Sequence, residues 1–411
     1  MTKPAYIKSL DGIRGLAVLF VICHHWAFDF FNIPFGWVGV QLFFVLSGFL
    51  ITRILFSEKD FSFGKFLTRF YVKRALRIFP LYFGFLGLFA LLYFVAGTVL
   101  SKNNAGLNLL MLLEEFPVNI SFLLTYTYNF MEMYHAMITH IKIPNTDLFS
   151  HLWSLSVEEQ FYIVFPFVIY FLSLKNLKRV LVFILIGCPV LRFISVELLK
   201  TVTDNNYLIG TIIYRQTPFQ FDALCFGAVL AVFDFKSLLK RLKMSFYICL
   251  LLTAGVGIIN YLWLHNSVEH ITLKGLGYEY AENMVYGNRL SYGLTLINIC
   301  CALMILCSIN ETPILKLLES KVLVFIGKIS YGIYLFHYPF LKIYRIALSH
   351  FFTTQQINGR ILLEAGIFLT YLTCLIIICT GSYFLFEIRF LKLKEKIKDE
   401  ESASKELTVA Y

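Results

Sequence analysis

"RGLAVLFVICHH", from Arg14 to His25, is an apolar run with an arginine at one end and two adjacent histidines at the other. Similar greasy runs, long enough to cross a bilayer, recur along the whole chain. The chain has 411 residues, 58% of them hydrophobic and 15% charged, and its mean hydropathy is +0.71. A soluble domain is about a quarter charged. The pattern therefore predicts an all-α, polytopic integral membrane protein. Its 43 Phe and 24 Tyr read as lipid-facing bulk and interfacial belts.

Working outward from Arg14–His25, the apolar runs place about ten transmembrane helices at 13–31, 36–56, 78–99, 155–174, 180–199, 218–234, 245–264, 288–309, 322–345 and 361–387. The stretch 106–130 is half apolar but carries Glu114, Glu115, Pro117 and Asn119, and reads as interfacial or re-entrant. With the N-terminus inside, segments on the cytoplasmic side hold 23 Lys and Arg and outer segments 6, as the positive-inside rule requires. If 106–130 crossed, Lys175, Lys178, Arg179 and the Lys236–Lys243 cluster would face outward. Ten spans with both termini cytoplasmic is the expectation, in the inner (plasma) membrane. Residues 1–391 form one transmembrane domain and 392–411 a short charged tail. Met1 to Asp11 leads into the first span without a small-residue cleavage site, so that helix is expected to stay.

The net charge of +10 follows from this topology and does not call for nucleic acid. The nine cysteines all lie in apolar segments and read as small core residues, neither metal ligands nor a disulfide framework. No metal motif, P-loop, dinucleotide fingerprint or G-x-S-x-G elbow is present. There is no internal repeat.

Arg14 and His25 are eleven residues apart, which is three helical turns plus roughly 20°, so they share a face about 16 Å apart along the axis. Asp11, three positions before Arg14, shares it too. His24 is turned about 100° away. One face thus joins an anion-binding end to a proton-transfer group, and ionisable groups within a span are functional by default. The plainer alternative is a positive-inside anchor at Arg14 and a packing histidine at His25.

Other stretches carry chemistry as well. Arg69, Lys73, Arg74 and Arg77 cluster before the third span, and arginine's forked donors suit phosphate; a lipid-headgroup cluster is the alternative. Ser154 and Glu158 share a face at the start of the fourth span, where a carboxylate entering apolar surroundings suits acid, base or orienting work. Asp222 lies near the outer end of the sixth span, with Gly227 allowing close helix approach. Tyr334 and His337 share a face in the ninth span, next to Ser330 and Tyr331, and a second intramembrane histidine favours a relay.

Taken in series, "SLDGIRGLAVLFVICHH", "GVQLFFVLSGFLITRIL", "FYVKRALRIFPLYF", "HLWSLSVEEQFYIVFPF", "FDALCFGAVLA", "FIGKISYGIYLFHYPFL" and "SYFLFEIRF" resemble the acyltransferase-3 family of integral membrane O-acyltransferases, in the family's order over about 1–391. The resemblance implies ten helices, an acyl-CoA donor entering from the cytoplasm, with acetyl favoured by family habit, and an acceptor that is a sugar hydroxyl on the far side. Its arginine–histidine motif falls on Arg14 and His25, its R-x-x-R motif on Arg74 and Arg77, and its S-x-E-x-x-F-Y motif on Ser156, Glu158, Phe161 and Tyr162. Many relatives carry a fused periplasmic esterase-like domain; the expectation here is a stand-alone chain that passes the group directly to its acceptor or to a partner protein. On this reading Asp11, Arg14, Arg69, Arg74 and Arg77 hold the donor, and His25, Glu158 and His337 are catalytic, with His25 deprotonating the acceptor hydroxyl or carrying the acyl group itself. No metal is expected. The acceptor, a cell-surface or lipid-linked glycan by the resemblance, stays open between O-antigen, exopolysaccharide, peptidoglycan and a small molecule. The competing classes are a proton-coupled transporter, which predicts inverted repeats and paired broken helices, and a non-catalytic scaffold, which leaves the shared face of Arg14 and His25 unexplained.

Overall fold

A computed structural model describes residues 6–26, 31–33, 35–100, 104–135, 138, 148–235, 237, 241–267, 289–310, 313–349, 351–357 and 360–393. Among them every regular element is helical. In order these are α1 (Lys8–His25), α2 (Val38–Glu58), α3 (Phe63–Val95), α4 (Asn104–Leu113), α5 (Glu115–Leu124), the single turn α6 (Met131–Tyr134), α7 (Trp153–Phe171), α8 (Leu174–Lys200), α9 (Asn206–Arg215), α10 (Phe221–Val232), α11 (Leu242–Ser267), α12 (Arg289–Ile309), α13 (Lys321–Lys328), α14 (Ser330–Ser349), α15 (Thr354–Ile357) and α16 (Ile361–Ser382).

Among the described residues seven of these helices, α2, α3, α7, α8, α11, α12 and α16, are long and apolar enough to cross a membrane. The chain is a multi-pass helical membrane protein. The other three expected spans are helical but shorter or broken. α10 has 12 residues, about 18 Å of rise against a hydrocarbon core of about 30 Å. The ninth expected span is two helices, α13 and α14, separated at Ile329; Ser320 caps α13 by accepting from Leu323 N. The first ends at His25, and residues 27–30 of that expected span lie outside the described residues, as does most of the 392–411 tail. In the 106–130 stretch, Leu109–Leu124 and Tyr128–Tyr134 are bent by 120°. Tyr126, at the bend, is the one described non-glycine residue at positive φ, 53°.

The chain divides into two compact units, Met1–Ser57, Val118–Ile143 and Phe149–Ser330 in the first, and Glu58–Pro117, Pro144–Leu148 and Tyr331–Tyr411 in the second. In the first unit, glycines set the closest helix contacts. A Cβ on Gly12 would lie 1.6 Å from the Leu318 carbonyl oxygen, and one on Gly327 1.8 Å from that of Asp11, so α1 meets α13 and the turn before it backbone to backbone. α2 and α10 cross the same way: a Cβ on Gly48 would sit 1.8 Å from the Leu224 carbonyl oxygen, and one on Gly227 1.9 Å from that of Val45. Small residues allow this approach where lipid supplies no hydrophobic drive between helices.

In the second unit α3, α14 and α16 pack through aromatic rings. Phe85 meets Phe336 edge-on at 5.3 Å, Phe340 stacks on Tyr371 at 5.5 Å, and the Tyr371 hydroxyl donates to the His337 carbonyl at 2.7 Å. α16 runs into a π-helical turn, Tyr383–Glu387.

Candidate active site

α1 is one unbroken helix from Lys8 to His25, so the shared face expected for Asp11, Arg14 and His25 is realised. Arg14 Nη1 donates to Asp11 Oδ1 at 2.7 Å, and the Tyr6 hydroxyl donates to Asp11 Oδ2 at 2.7 Å. Asp11 is thus spent on orienting a guanidinium and a phenol. The bond to this carboxylate raises the Tyr6 pKa to about 12, because it stabilises the neutral hydroxyl.

At the other end of α1, His25 Nδ1 lies 3.0 Å from the Val21 carbonyl oxygen. A carbonyl only accepts, so Nδ1 carries the proton and Nε2 holds the basic lone pair. His24 is turned aside, its ring edge-on to that of His25 at 5.3 Å. A Cβ on Gly36 would lie 2.8 Å from the His24 Cβ, so this end of α1 abuts the chain entering α2.

α7 carries the motif around Glu158, and Glu158 is half-buried. Two side chains on opposite faces fix the rotation of the helix. Tyr162, one turn on from Glu158, shares a short hydrogen bond with Ser47 of α2. Gln160 donates to the Tyr126 carbonyl at 2.8 Å and to Asn129 Oδ1 at 2.9 Å. Ser154 and Ser156 bond back to the His151 and Leu152 carbonyls.

The second unit holds the R-x-x-R motif and His337. Glu58, buried, binds Lys73 at 2.5 Å and Arg69 at 3.6 Å, and the Arg69 guanidinium stacks 4.4 Å above the Phe61 ring. Arg69 and Lys73 are therefore held by a carboxylate. Arg74 lies 6.0 Å from the Phe70 ring centroid, and Arg77 is exposed, with its charge felt by the Glu387 carboxyl. His337 is fully buried and bonds through Nδ1 to the Tyr334 carbonyl at 2.7 Å, the tautomer found at His25.

Two features escaped the motif reading. Asp222 is not alone: it forms a two-pronged ion pair with Arg192 of α8 at 3.0 and 2.7 Å, both side chains 0% exposed. The signal that could have found it is a lone arginine within the apolar run 180–199. The second is a set of buried amides, Gln41, Asn129, Gln216 and Gln220, whose only sequence signal is polarity inside or beside apolar runs.

Buried ion pairs and amides, ionisable residues along one helix face, and a bundle of apolar helices define a multi-pass membrane protein with polar chemistry inside the bundle. The particular class follows from comparison: an acyltransferase domain model matches residues 7–385, and the chain belongs to the acyltransferase-3 family. It is similar to a peptidoglycan O-acetyltransferase of Listeria monocytogenes, 28% identical over 344 residues, 82% of this chain and 50% of that protein. A Staphylococcus aureus protein provisionally named an O-acetyltransferase is 27% identical over 400 residues, 95% of this chain and 58% of its own length. A Bacillus subtilis protein provisionally named a peptidoglycan O-acetyltransferase is 26% identical over 344 residues, 81% and 48% of the two chains. The chain thus spans about half the length of the curated relatives it matches. No solved structure matches it.

Proposed function

We propose that this chain is an O-acyltransferase that moves an acetyl group from acetyl-CoA, taken from the cytoplasm, to a hydroxyl of a cell-envelope glycan of the peptidoglycan class, across the plasma membrane. The observation that carries this reading is α1: an arginine oriented by Asp11 on one end of a helix face and, about 16 Å along it, a histidine whose Nε2 holds the lone pair. The family and the names of the relatives support the group transferred and the acceptor class.

In the proposed reaction the acceptor hydroxyl oxygen attacks the thioester carbonyl carbon. Its proton passes to His25 Nε2, the C–S bond breaks, and CoA leaves as the thiolate that takes up the proton. The products are the acetyl ester and free CoA. Removing a general base costs roughly 10²–10⁴ in rate. Arg14 is assigned to the donor's phosphates, where forked, charge-assisted hydrogen bonds are strongest, and Arg74 and Arg77, which carry the R-x-x-R motif, are assigned to anion binding within the second unit. Asp11 and Arg69 serve as holders of charge, Glu158 is assigned to orientation of the reacting groups, and His337 is a candidate relay group of the second unit.

The test is mass spectrometry of envelope glycan from cells with and without the protein. A gain of one acetyl unit per modified sugar supports transfer and names the acceptor. Identical glycan in both, with the protein present in the membrane, contradicts it.

A further inference from the structure

The first unit contains a cluster of neutral polar side chains that the reaction above does not use. Gln41 is in the first turn of α2, Asn129 lies just past the bend at Tyr126, Gln160 is on α7, and Gln216, Thr217 and Gln220 belong to the turn between α9 and α10. Side-chain hydrogen bonds join them in two sets, one of four residues and one of two. Gln160 donates to Asn129 Oδ1 at 2.9 Å, Asn129 Nδ2 to Thr217 Oγ1 at 3.0 Å, and Thr217 to Gln160 Oε1. Gln216 Nε2 donates to the Asn129 carbonyl at 2.8 Å. Gln41 Nε2 donates to Gln220 Oε1 at 3.1 Å, and Gln220 Nε2 to the Tyr214 carbonyl at 2.5 Å.

Within the six, the side-chain N–H groups bond to oxygens of the cluster or of the chain beside it, whereas Gln41 Oε1 and Gln216 Oε1 accept from no described residue. Gln41 is 0% and Gln216 5% exposed. A buried carbonyl without a donor is costly, and in a lipid-embedded bundle polar residues of this kind mark function. What the two carbonyls require is a donor, and no ionised group belongs to the six, so the complement is a neutral molecule with O–H groups.

The place in the fold fits the same ligand. Gly36 packs against Phe20 and His24, and Gly39 against Ala17 and Val21, so α2 enters beside the His25 end of α1 and runs back along it. Trp37, next to Gly36, meets the Tyr214 ring, and the Tyr214 carbonyl accepts from Gln220, which ties the cluster to the start of α2. Beside it Trp37, Tyr214 and Trp153, all buried, form a chain of ring contacts at 5.7 and 4.9 Å. The rim includes Tyr126, whose positive φ of 53° holds local backbone strain of the kind that collects at ligand clamps.

We propose that this amide cluster is the acceptor-hydroxyl subsite: Gln41 Oε1 and Gln216 Oε1 accept hydrogen bonds from hydroxyls of the glycan and so align one hydroxyl toward His25. The proposal rests on the reading of the chain as a glycan O-acyltransferase and assigns the acceptor's place in it.

The experiment uses full-length protein in membranes, radiolabelled acetyl-CoA, and glycan strands from base-de-O-acetylated peptidoglycan as the acceptor probe. Gln41→Met and Gln216→Met replace the amide at near-constant volume on two different elements, removing the acceptor oxygen together with the N–H that bonds Gln220 Oε1 or the Asn129 carbonyl. Each should raise the half-saturating glycan concentration about tenfold, the value of one lost hydrogen bond plus a desolvated group. Half-saturation by acetyl-CoA should not move. A wild-type protein that acetylates the strands, with both variants saturating as it does, overturns the subsite and leaves the function standing. Loss of both variants from the membrane fraction assigns the cluster to folding and also overturns it. A wild-type protein that acetylates no glycan overturns the parent reading instead.

Discussion

Replacing Asp222 by asparagine tests whether the Arg192–Asp222 pair holds the first unit together. Arg192 makes the two-pronged bond to the carboxylate and also donates to the Phe219 carbonyl at 2.6 Å, the Ser291 carbonyl at 3.2 Å and Thr295 Oγ1 at 2.6 Å. One guanidinium thereby ties α8, the turn before α10, and α12. In Asp222→Asn the guanidinium stays buried with its hydrogen bonds but without a counter-charge. Breaking a fully buried pair from one side costs about 3–5 kcal/mol, which for a chain of this size lowers the unfolding midpoint by on the order of 5 °C. Arg192→Met should cost as much, because it strands the carboxylate. The double variant should lose much less than the sum, because no lone charge remains. The assay is thermal unfolding of detergent-purified protein, all four forms side by side. Single variants as stable as wild type, or a double variant whose loss is additive, would refute the argument that the pair acts as one buried unit.

Gly227→Val should prevent stable folding, because its Cβ would sit 1.9 Å from the Val45 carbonyl oxygen, far beyond ordinary overpacking of about 1–3 kcal/mol; membrane abundance checks this against Gly255→Val, whose Cβ meets nothing within 4 Å. Arg74→Ala and Arg77→Ala should each raise the apparent KM for acetyl-CoA by roughly tenfold or more, through loss of a charge-assisted bond of about 1.5–3 kcal/mol, with lysine at either site a partial rescue only. Unchanged saturation in both alanine variants would return the cluster to lipid headgroups. The Tyr6 hydroxyl should ionise at about 12, seen as the difference in 295 nm titration between wild type and Tyr6→Phe. Since the folded pKa lies above the ordinary value of 10.0, whatever stability this bond contributes is complete below pH 10 and is lost as pH rises through about 12. A Tyr6 that titrates with ordinary tyrosines contradicts the bond to Asp11.

Much of this molecule is written in its apolar runs. Segments such as Val38–Glu58 and Leu174–Lys200 are helical where hydropathy places them, because in lipid the backbone has no other way to satisfy its polar groups. The face shared by Asp11, Arg14 and His25 follows from the helical period alone. Hydropathy says less where the backbone changes course. The break at Ile329 and the 12 residues of α10 depend on what packs against those helices, since an apolar run looks alike whether it crosses in one piece or two. Partner choice is hidden for the same reason. Glu58 reads as a loop residue at a helix end, yet it is buried against Lys73 and Arg69. Gln41 and Gln220 lie 179 residues apart and meet only after folding. Arg192 carries a signal that the motif reading passed over, since a charge inside an apolar span asks for a partner.

The central claim is that His25 is the base on α1, and its neighbour supplies the control. His24 differs by one position, about 100° of rotation, and its ring packs edge-on against His25. The measurement is acetyl transfer from acetyl-CoA to glycan by wild type, His25→Ala and His24→Ala at matched membrane levels. The account predicts that His25→Ala falls by about 10²–10⁴-fold with acetyl-CoA binding retained, and that His24→Ala keeps most of its activity. An active His25→Ala protein, or equal losses in the two variants, would contradict it.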